Sequence, residues 1–201
     1  MDGSRKAWQY LTGQRRTRLA PTLAFDTPNF VLSGVETWDE FSVFSGSLER
    51  YSWKLVGKKE LYIPYNQNRI VGVDEQKTLK PHFRDPNLSR WELHRVWVVE
   101  ADLLQGKRHI YPKRRYYLDE DTWQAVLAES YDAQGRLVKY NETNPLLYPD
   151  LPAVFSFGAL SYNLVDGIYV DTGCHVHPFE YVKPWPASHF TPEALAGSAN
   201  R

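Results

Sequence analysis

The chain has 201 residues, with 24 Lys plus Arg balanced by 24 Asp plus Glu. It is long enough for one domain with a sizeable core, read here as residues 1–201, and it carries no global field of the kind that holds nucleic acid or an anionic membrane. Its 7 Trp and 13 Tyr suit wide apolar surfaces with polar edges. The only cysteine, Cys174, cannot form an internal disulfide and leaves the compartment open. No stretch approaches the roughly eighteen apolar residues of a membrane-spanning helix, and Met1 to Lys6 is not followed by the apolar core of a secretory signal.

In chain order, Ala7 to Leu11 reads as a strand, Thr12 to Gln14 as a turn and Arg15 to Leu19 as the return. A chain that enters its fold in mid-sheet is expected of a truncated protein. Ala20 to Gly34, with Pro21, Pro28 and Gly34, reads as a loop. Val35 to Phe44 fits a short helical turn or a bent strand equally well. Tyr51 to Tyr65 alternates Trp53, Leu55, Leu61 and Ile63 with Lys54, Lys58 and Glu60, and Gly57 marks a bulge or sharp bend. Asn66 to Leu88 is polar and aperiodic, and is expected to be a long exposed loop.

The strongest alternation begins at Arg90. At period two, Trp91, Leu93, Arg95, Trp97, Val99, Ala101 and Leu103 share one face, opposite Glu92, His94, Glu100 and Asp102. A turn at Gln105-Gly106-Lys107 leads to a second strand over His109 to Leu118. After the acidic corner Asp119-Glu120-Asp121 a third runs from Trp123 to Tyr131, with Trp123, Ala125, Leu127 and Tyr131 on one face. Asp132 to Gly135 turns the chain into a fourth strand over Leu137 to Glu142. Pro145, Pro149 and Pro152 interrupt it before two further strands around Asp166-Gly167. Thr191-Pro192-Glu193-Ala194-Leu195 opens a terminal helix, with an N-cap threonine and proline at the first helical position. The sum is a mainly β chain with a few short helices, its sheet a curved antiparallel meander.

Chemical signals are sparse. In Cys174-His175-Val176-His177 a strand would set the two imidazoles on one face, but a zinc site needs three or four ligands and no second pair lies at usual spacing. The plainer reading is a solvated strand end, so no metal and no cofactor is assigned. Lys113-Arg114-Arg115 faces both ways on a strand and is followed by acids, which favours a cross-strand ion-pair network over nucleic-acid binding. There is no Gly-x-Ser-x-Gly elbow and no phosphate-binding glycine loop, so no catalytic residue is assigned and the chain is read as a non-enzyme. Arg95 alone breaks the apolar side of its strand. It needs an anion, either an internal acid, with Glu129 the favoured choice, or a ligand head group.

Several long segments resemble one family. They are Trp8-Gln9-Tyr10-Leu11 with Gly13-Gln14-Arg15-Arg16, Phe25-Asp26-Thr27-Pro28-Asn29, the run from Trp53 to Asn66, the run from Arg90 to Glu100, Lys113 to Asp121, Tyr131 to Gly135, and Phe190 to Leu195. Together they are similar to domain of unknown function 1329, across nearly the whole chain. The resemblance implies a Gram-negative envelope protein related to outer-membrane lipoprotein-sorting proteins, exported to the periplasm or outer membrane. It implies an open, strongly curved antiparallel sheet, a half-barrel whose apolar concavity is covered by helices. Family members are about twice this long and begin with a signal peptide, so the chain is expected to be the C-terminal portion of one. The expected function is non-catalytic carriage of a lipid, lipoprotein or other amphiphile, with an acyl chain against Trp91, Leu93, Trp97, Val99, Trp123 and Leu127 and with Arg95 beside them. These apolar residues serve equally as core. The alternative is an interaction protein whose sheet edge or Asn66 to Leu88 loop docks on a transporter or outer-membrane partner.

Overall fold

A computed structural model describes residues 8–19, 26–151, 153–173 and 184–198. Its alternating segments are strands. β1 (Trp8–Leu11) and β2 (Arg16–Leu19) form a separate hairpin. β3 (Tyr51–Pro64), β4 (Trp91–Leu103), β5 (Lys113–Asp119), β6 (Ala125–Tyr131), β7 (Leu137–Tyr148), β8 (Ala153–Asn163) and β9 (Ile168–Asp171) build one open sheet in which each strand pairs antiparallel with the next in sequence. Two short helices complete it, α1 (Glu75–Thr78) between β3 and β4 and α2 (Pro192–Ser198) against the β1–β2 hairpin. Thr191 caps α2 by accepting a hydrogen bond from the Ala194 amide at 3.2 Å. No helix among the described residues is long and apolar enough to cross a membrane.

Pairing register decides which residues share a face. Gly57, at φ 142, absorbs a bulge that shifts register between Leu55 and Gly57. A second bulge lies in β6, where Tyr117 pairs with Leu127 but Leu118 pairs with Ala125. The extra residue, Val126, reverses parity, so Leu127 joins Val98 and Tyr117 on the even face of β4 while Ala125 lies with Trp97 on the odd face. β7 runs past the expected end at Glu142, accommodating Pro145 at a further shift. β5 starts at Lys113, and His109 sits in the loop before it.

The even face closes on itself. β3 returns against β6 and β7, strands to which it is not hydrogen bonded, and Ile63, Val96, Val98, Tyr117, Val126 and Leu127 pack into one buried cluster. Segment 65–90, expected to be exposed, also covers this face at its far end. Gln67, Ile70, Thr78 and Arg84 are buried, Ile70 packs on Leu146, and Arg84 lies between Asp171 (2.7 Å) and Asn144 (2.6 Å). Most of the segment faces water, as expected, while these four side chains turn inward.

Segment 26–50 covers one end of the odd face, through 3-10 turns instead of the helices that the resemblance implied. Val43 and Phe44 pack on Tyr51, Trp53 and Tyr116, with Phe44 in edge contact with both Trp53 (5.4 Å) and Tyr116 (5.5 Å). The attachment is electrostatic. Arg114, in the middle of β5 and fully buried, donates to Asp39 at 2.7 Å, while His109 lies 3.1 Å from the same carboxylate. Lys139 donates to Glu40 at 2.8 Å and to the Val35 carbonyl. Ser161 donates to buried Glu36 and accepts from Asn141. Hydrogen bonds from His109 and Thr37, with the Arg114 charge, hold Asp39 well below the usual carboxylate range against the opposing effect of burial. Burial pushes Glu36 up to about 7, with the Glu40 charge acting in the same direction.

Two stability predictions follow from this attachment. Arg114→Met leaves buried Asp39 without its guanidinium while Glu40 keeps Lys139, and thermal unfolding is expected to show a loss of about 3–5 kcal/mol; a loss below about 1 kcal/mol would show that the ion pair does not hold the segment. Glu36 binds its proton more tightly folded than unfolded, so its contribution is present below pH 4.5 and is lost as pH rises through about 7. An ionised Glu36 therefore costs roughly 3 kcal/mol at pH 8, and Glu36→Gln is expected to be more stable than the parent at pH 8 and indistinguishable near pH 5. Parallel pH–stability curves for the two proteins would refute this.

Candidate functional site

Beyond the reach of segment 26–50 no described residue covers the odd face. Cross-strand pairing sets Trp91 beside Pro64, Leu93 beside Tyr62, Arg95 beside Glu60, Trp97 beside Lys58 and Val99 beside Leu55. Leu93 is 58% exposed, Tyr62 62% and Leu55 61%. Alternation of this kind ordinarily buries its apolar side, so these residues form an open apolar strip and not a core. Val99 is half-buried where the strip runs into the covered end.

The turn after β5 supplies the other wall. Trp123 is 66% exposed and lies at φ 59, a left-handed conformation that is strained for a bulky side chain. Its indole stacks on Trp97 with centroids 6.3 Å apart and planes 22° apart, and Lys58 Nζ lies 4.4 Å from the Trp97 ring centroid. Glu120 binds both neighbouring cations, Arg95 at 2.9 Å and Lys58 through a hydrogen bond. The Lys58 hydrogen bond and the Arg95 charge hold the Glu120 carboxyl below its ordinary value.

The structure thus brings Trp91, Leu93, Arg95, Trp97, Val99 and Trp123 to one face and sets Leu127 apart, buried on the other. Arg95 does not reach Glu129. Its partner is Glu120, and its side chain remains two-thirds exposed, whereas Glu129 pairs with Arg115 together with Glu100. The expected ion-pair network around Lys113-Arg114-Arg115 is present, with Lys113 and Arg115 meeting at Glu100 and Arg114 turned to Asp39 on the opposite face. Cys174, His175, Val176 and His177 lie outside the described residues. Tyr62 and Leu55 belong to the strip but could be placed there only once the Gly57 bulge had fixed register. His94, Asp119 and Asp121 also meet beside it, within 4.8 Å of one another. His94 lies 25 residues before Asp119, and only the hairpin pairing of β4 with β5 could have signalled that it meets the two aspartates.

Comparison with known proteins agrees with the architecture. An uncharacterized protein of Pseudomonas aeruginosa is 39% identical over 198 residues, covering 95% of this chain and 43% of that protein. The chain therefore spans less than half the length of this relative. A crystal structure from Vibrio parahaemolyticus, of a domain described as a candidate outer membrane lipoprotein-sorting protein, superposes with a TM-score of 0.55 at 16% identity, over 96% of this chain and 67% of that one. That of a DUF1329 family protein from Desulfovibrio piger gives 0.48 at 14% identity, over 84% and 56%. With residues 1–196 matching the family described as protein of unknown function (DUF1329), the chain belongs to that family.

Proposed function

We propose that the protein is a non-catalytic carrier or chaperone for a lipid, lipoprotein or other amphiphile, acting in the periplasm or at the outer membrane. The observation that carries this reading is the open strip of Leu55, Tyr62, Trp91, Leu93, Trp97 and Trp123, on a face that a globular core would otherwise cover. The likeness in fold to a lipoprotein-sorting domain supports it. Each methylene laid against such a surface contributes roughly 0.8 kcal/mol, so about ten carbons supply some 8 kcal/mol before ordering costs are subtracted. Lys58 and Arg95 flank the strip and already share Glu120, so an anionic head group exchanges with a carboxylate and meets no bare cation. No nucleophile or acid–base pair is needed for such work.

In the docking alternative, segment 66–88 offers an exposed outer side while Ile70 and Arg84 anchor it against β7 and β9. The other surface, the free edge of β3, carries Lys54, Lys58 and Lys59 beside the Gly57 bulge, features that discourage strand addition.

A fluorescent fatty acid titrated into the protein is expected to bind and to quench tryptophan emission. Leu93→Glu should weaken that binding at least about tenfold, the value of one or two buried methylenes plus an introduced charge, with little change in melting temperature because Leu93 is exposed. Absence of binding to the parent, or equal binding by Leu93→Glu, sinks the carrier reading and shifts weight to a protein partner. Trp123→Ala, which removes the indole stacked on Trp97, is expected to give a smaller loss in the same assay.

A further inference from the structure

The turn after β5 also assembles groups that take no part in the apolar strip. His94 stands on the even face of β4, Asp119 ends β5, and Asp121 follows in the turn. Nδ1 of His94 lies 3.0 Å from an Asp119 carboxylate oxygen and 3.7 Å from one of Asp121. Ligand atoms around a tetrahedral ion bound at about 2.0–2.1 Å stand roughly 3.4 Å apart, so these two spacings bracket the value for a shared cation. The third separation is within 4.8 Å and closes with a rotation of Asp121, whose side chain is 74% exposed.

Asp119 is placed quite differently. Its side chain is fully buried, and Oδ2 is occupied by the amide of Thr122 at 2.9 Å and its hydroxyl at 2.7 Å, which leaves Oδ1 aimed at His94. The Tyr65 ring packs on the imidazole with centroids 4.3 Å apart. Burial raises the Tyr65 phenol, and the charges of Asp119, Asp121 and Glu92 push it the same way. The nearby cations Lys58 and Arg95 engage Glu120. A recess of about 410 Å³, lined by Glu60, Leu93, His94, Arg95, Glu120 and Asp121, opens beside the cluster and has room for water.

An exposed group of acids would be ordinary surface; an imidazole nitrogen facing a buried carboxylate of fixed orientation is not. We propose that His94, Asp119 and Asp121 bind a divalent first-row transition-metal ion, with water from the recess completing its coordination. One nitrogen and two carboxylate oxygens suit Zn²⁺ and its neighbours, whereas Ca²⁺ and Mg²⁺ require six or more oxygen ligands. The ion binds the Nδ1 lone pair of the neutral His94 imidazole, in the tautomer that carries no proton on that nitrogen. The imidazole proton then resides on Nε2, on the side of the Glu92 carboxylate 3.8 Å away, the outer-shell partner that metal-bound histidines commonly have. The site stands independently of whether the apolar strip accepts an amphiphile.

The test is calorimetric titration of ZnCl₂ into metal-free protein carrying Cys174→Ser, His175→Ala and His177→Ala, which removes the competing thiol and imidazoles. One Zn²⁺ per chain is expected, with binding weakened about tenfold or more by Asp121→Asn and again by His94→Gln. Asp121 is exposed, so Asp121→Asn decides the question even if His94→Gln disturbs folding. No Zn²⁺ binding, binding indifferent to Asp121→Asn, or Ca²⁺ and Mg²⁺ binding as tightly as Zn²⁺ would each overturn the assignment.

Discussion

Arg114 and Asp39 are the pair on which the arrangement of the odd face depends. Both side chains are almost fully buried, and removing two ions from water costs several kcal/mol each unless geometry and hydrogen bonding are complete. Completion comes from His109 and Thr37 on Asp39, and from Lys139 on the adjacent Glu40. These partners reach the site from the covering segment, the loop before β5, and β7. The pair is therefore satisfied only when the meander is in register and segment 26–50 is seated. It fixes where the cover sits more firmly than apolar contacts could, since an apolar surface tolerates sliding while a buried ion pair does not. Val43 shows the consequence, being 1% exposed at φ 72, a costly conformation for a β-branched residue that is held by its packing.

Seating the cover at the β3-start end divides the odd face into two unequal environments. Tyr51, Trp53, Ala101, Tyr116 and Ala128 become core, while Leu55, Tyr62, Trp91 and Leu93 do not, although the same alternation runs through both groups. The even face needs such a cover only at its far end, where Ile70 and Arg84 lie, because elsewhere the sheet rolls until β3 meets β6 and β7. Beside the β8–β9 pairing, Gly158 at φ 64 leaves no room for a side chain, since a Cβ there would lie 2.5 Å from the Gly173 amide nitrogen. The open strip is thus what remains after roll and cover have each closed part of the surface.

How far this was legible follows from which features are local. Alternation from Trp91 to Leu103, the Gly57 bulge and the Thr191 cap depend on neighbouring residues, and each could be read from the sequence. Leu127 was misplaced because parity was carried across Trp123 to Tyr131 without the bulge at Val126, and one inserted residue exchanges the faces. Arg95 was matched to Glu129 on chemical symmetry, yet register sets Arg115, not Arg95, opposite Glu129. Polarity correctly signals that most of Asn66 to Leu88 is exposed, but it does not reveal that Arg84 and Gln67 turn inward, to Asn144 and to the Arg90 carbonyl. Val35 to Phe44 has no decisive period because its 3-10 turn is a single turn, closed locally by Thr37 and Glu40 and anchored by cations from β5 and β7.

The turn from Asp119 to Trp123 joins the two candidate chemistries, and its energetics are closely balanced. A bulky residue in the left-handed region costs on the order of 1–3 kcal/mol. Against this stand one aromatic stack, worth about 0.5–1.5 kcal/mol, and solvent-screened ion pairs from Lys58 and Arg95 to Glu120. Only Asp119 is anchored deeply, through Thr122 and His94. An ion drawing Asp121 toward His94 would tighten the same turn from its other side, so occupancy at the cluster and the width of the apolar strip share one small structural element.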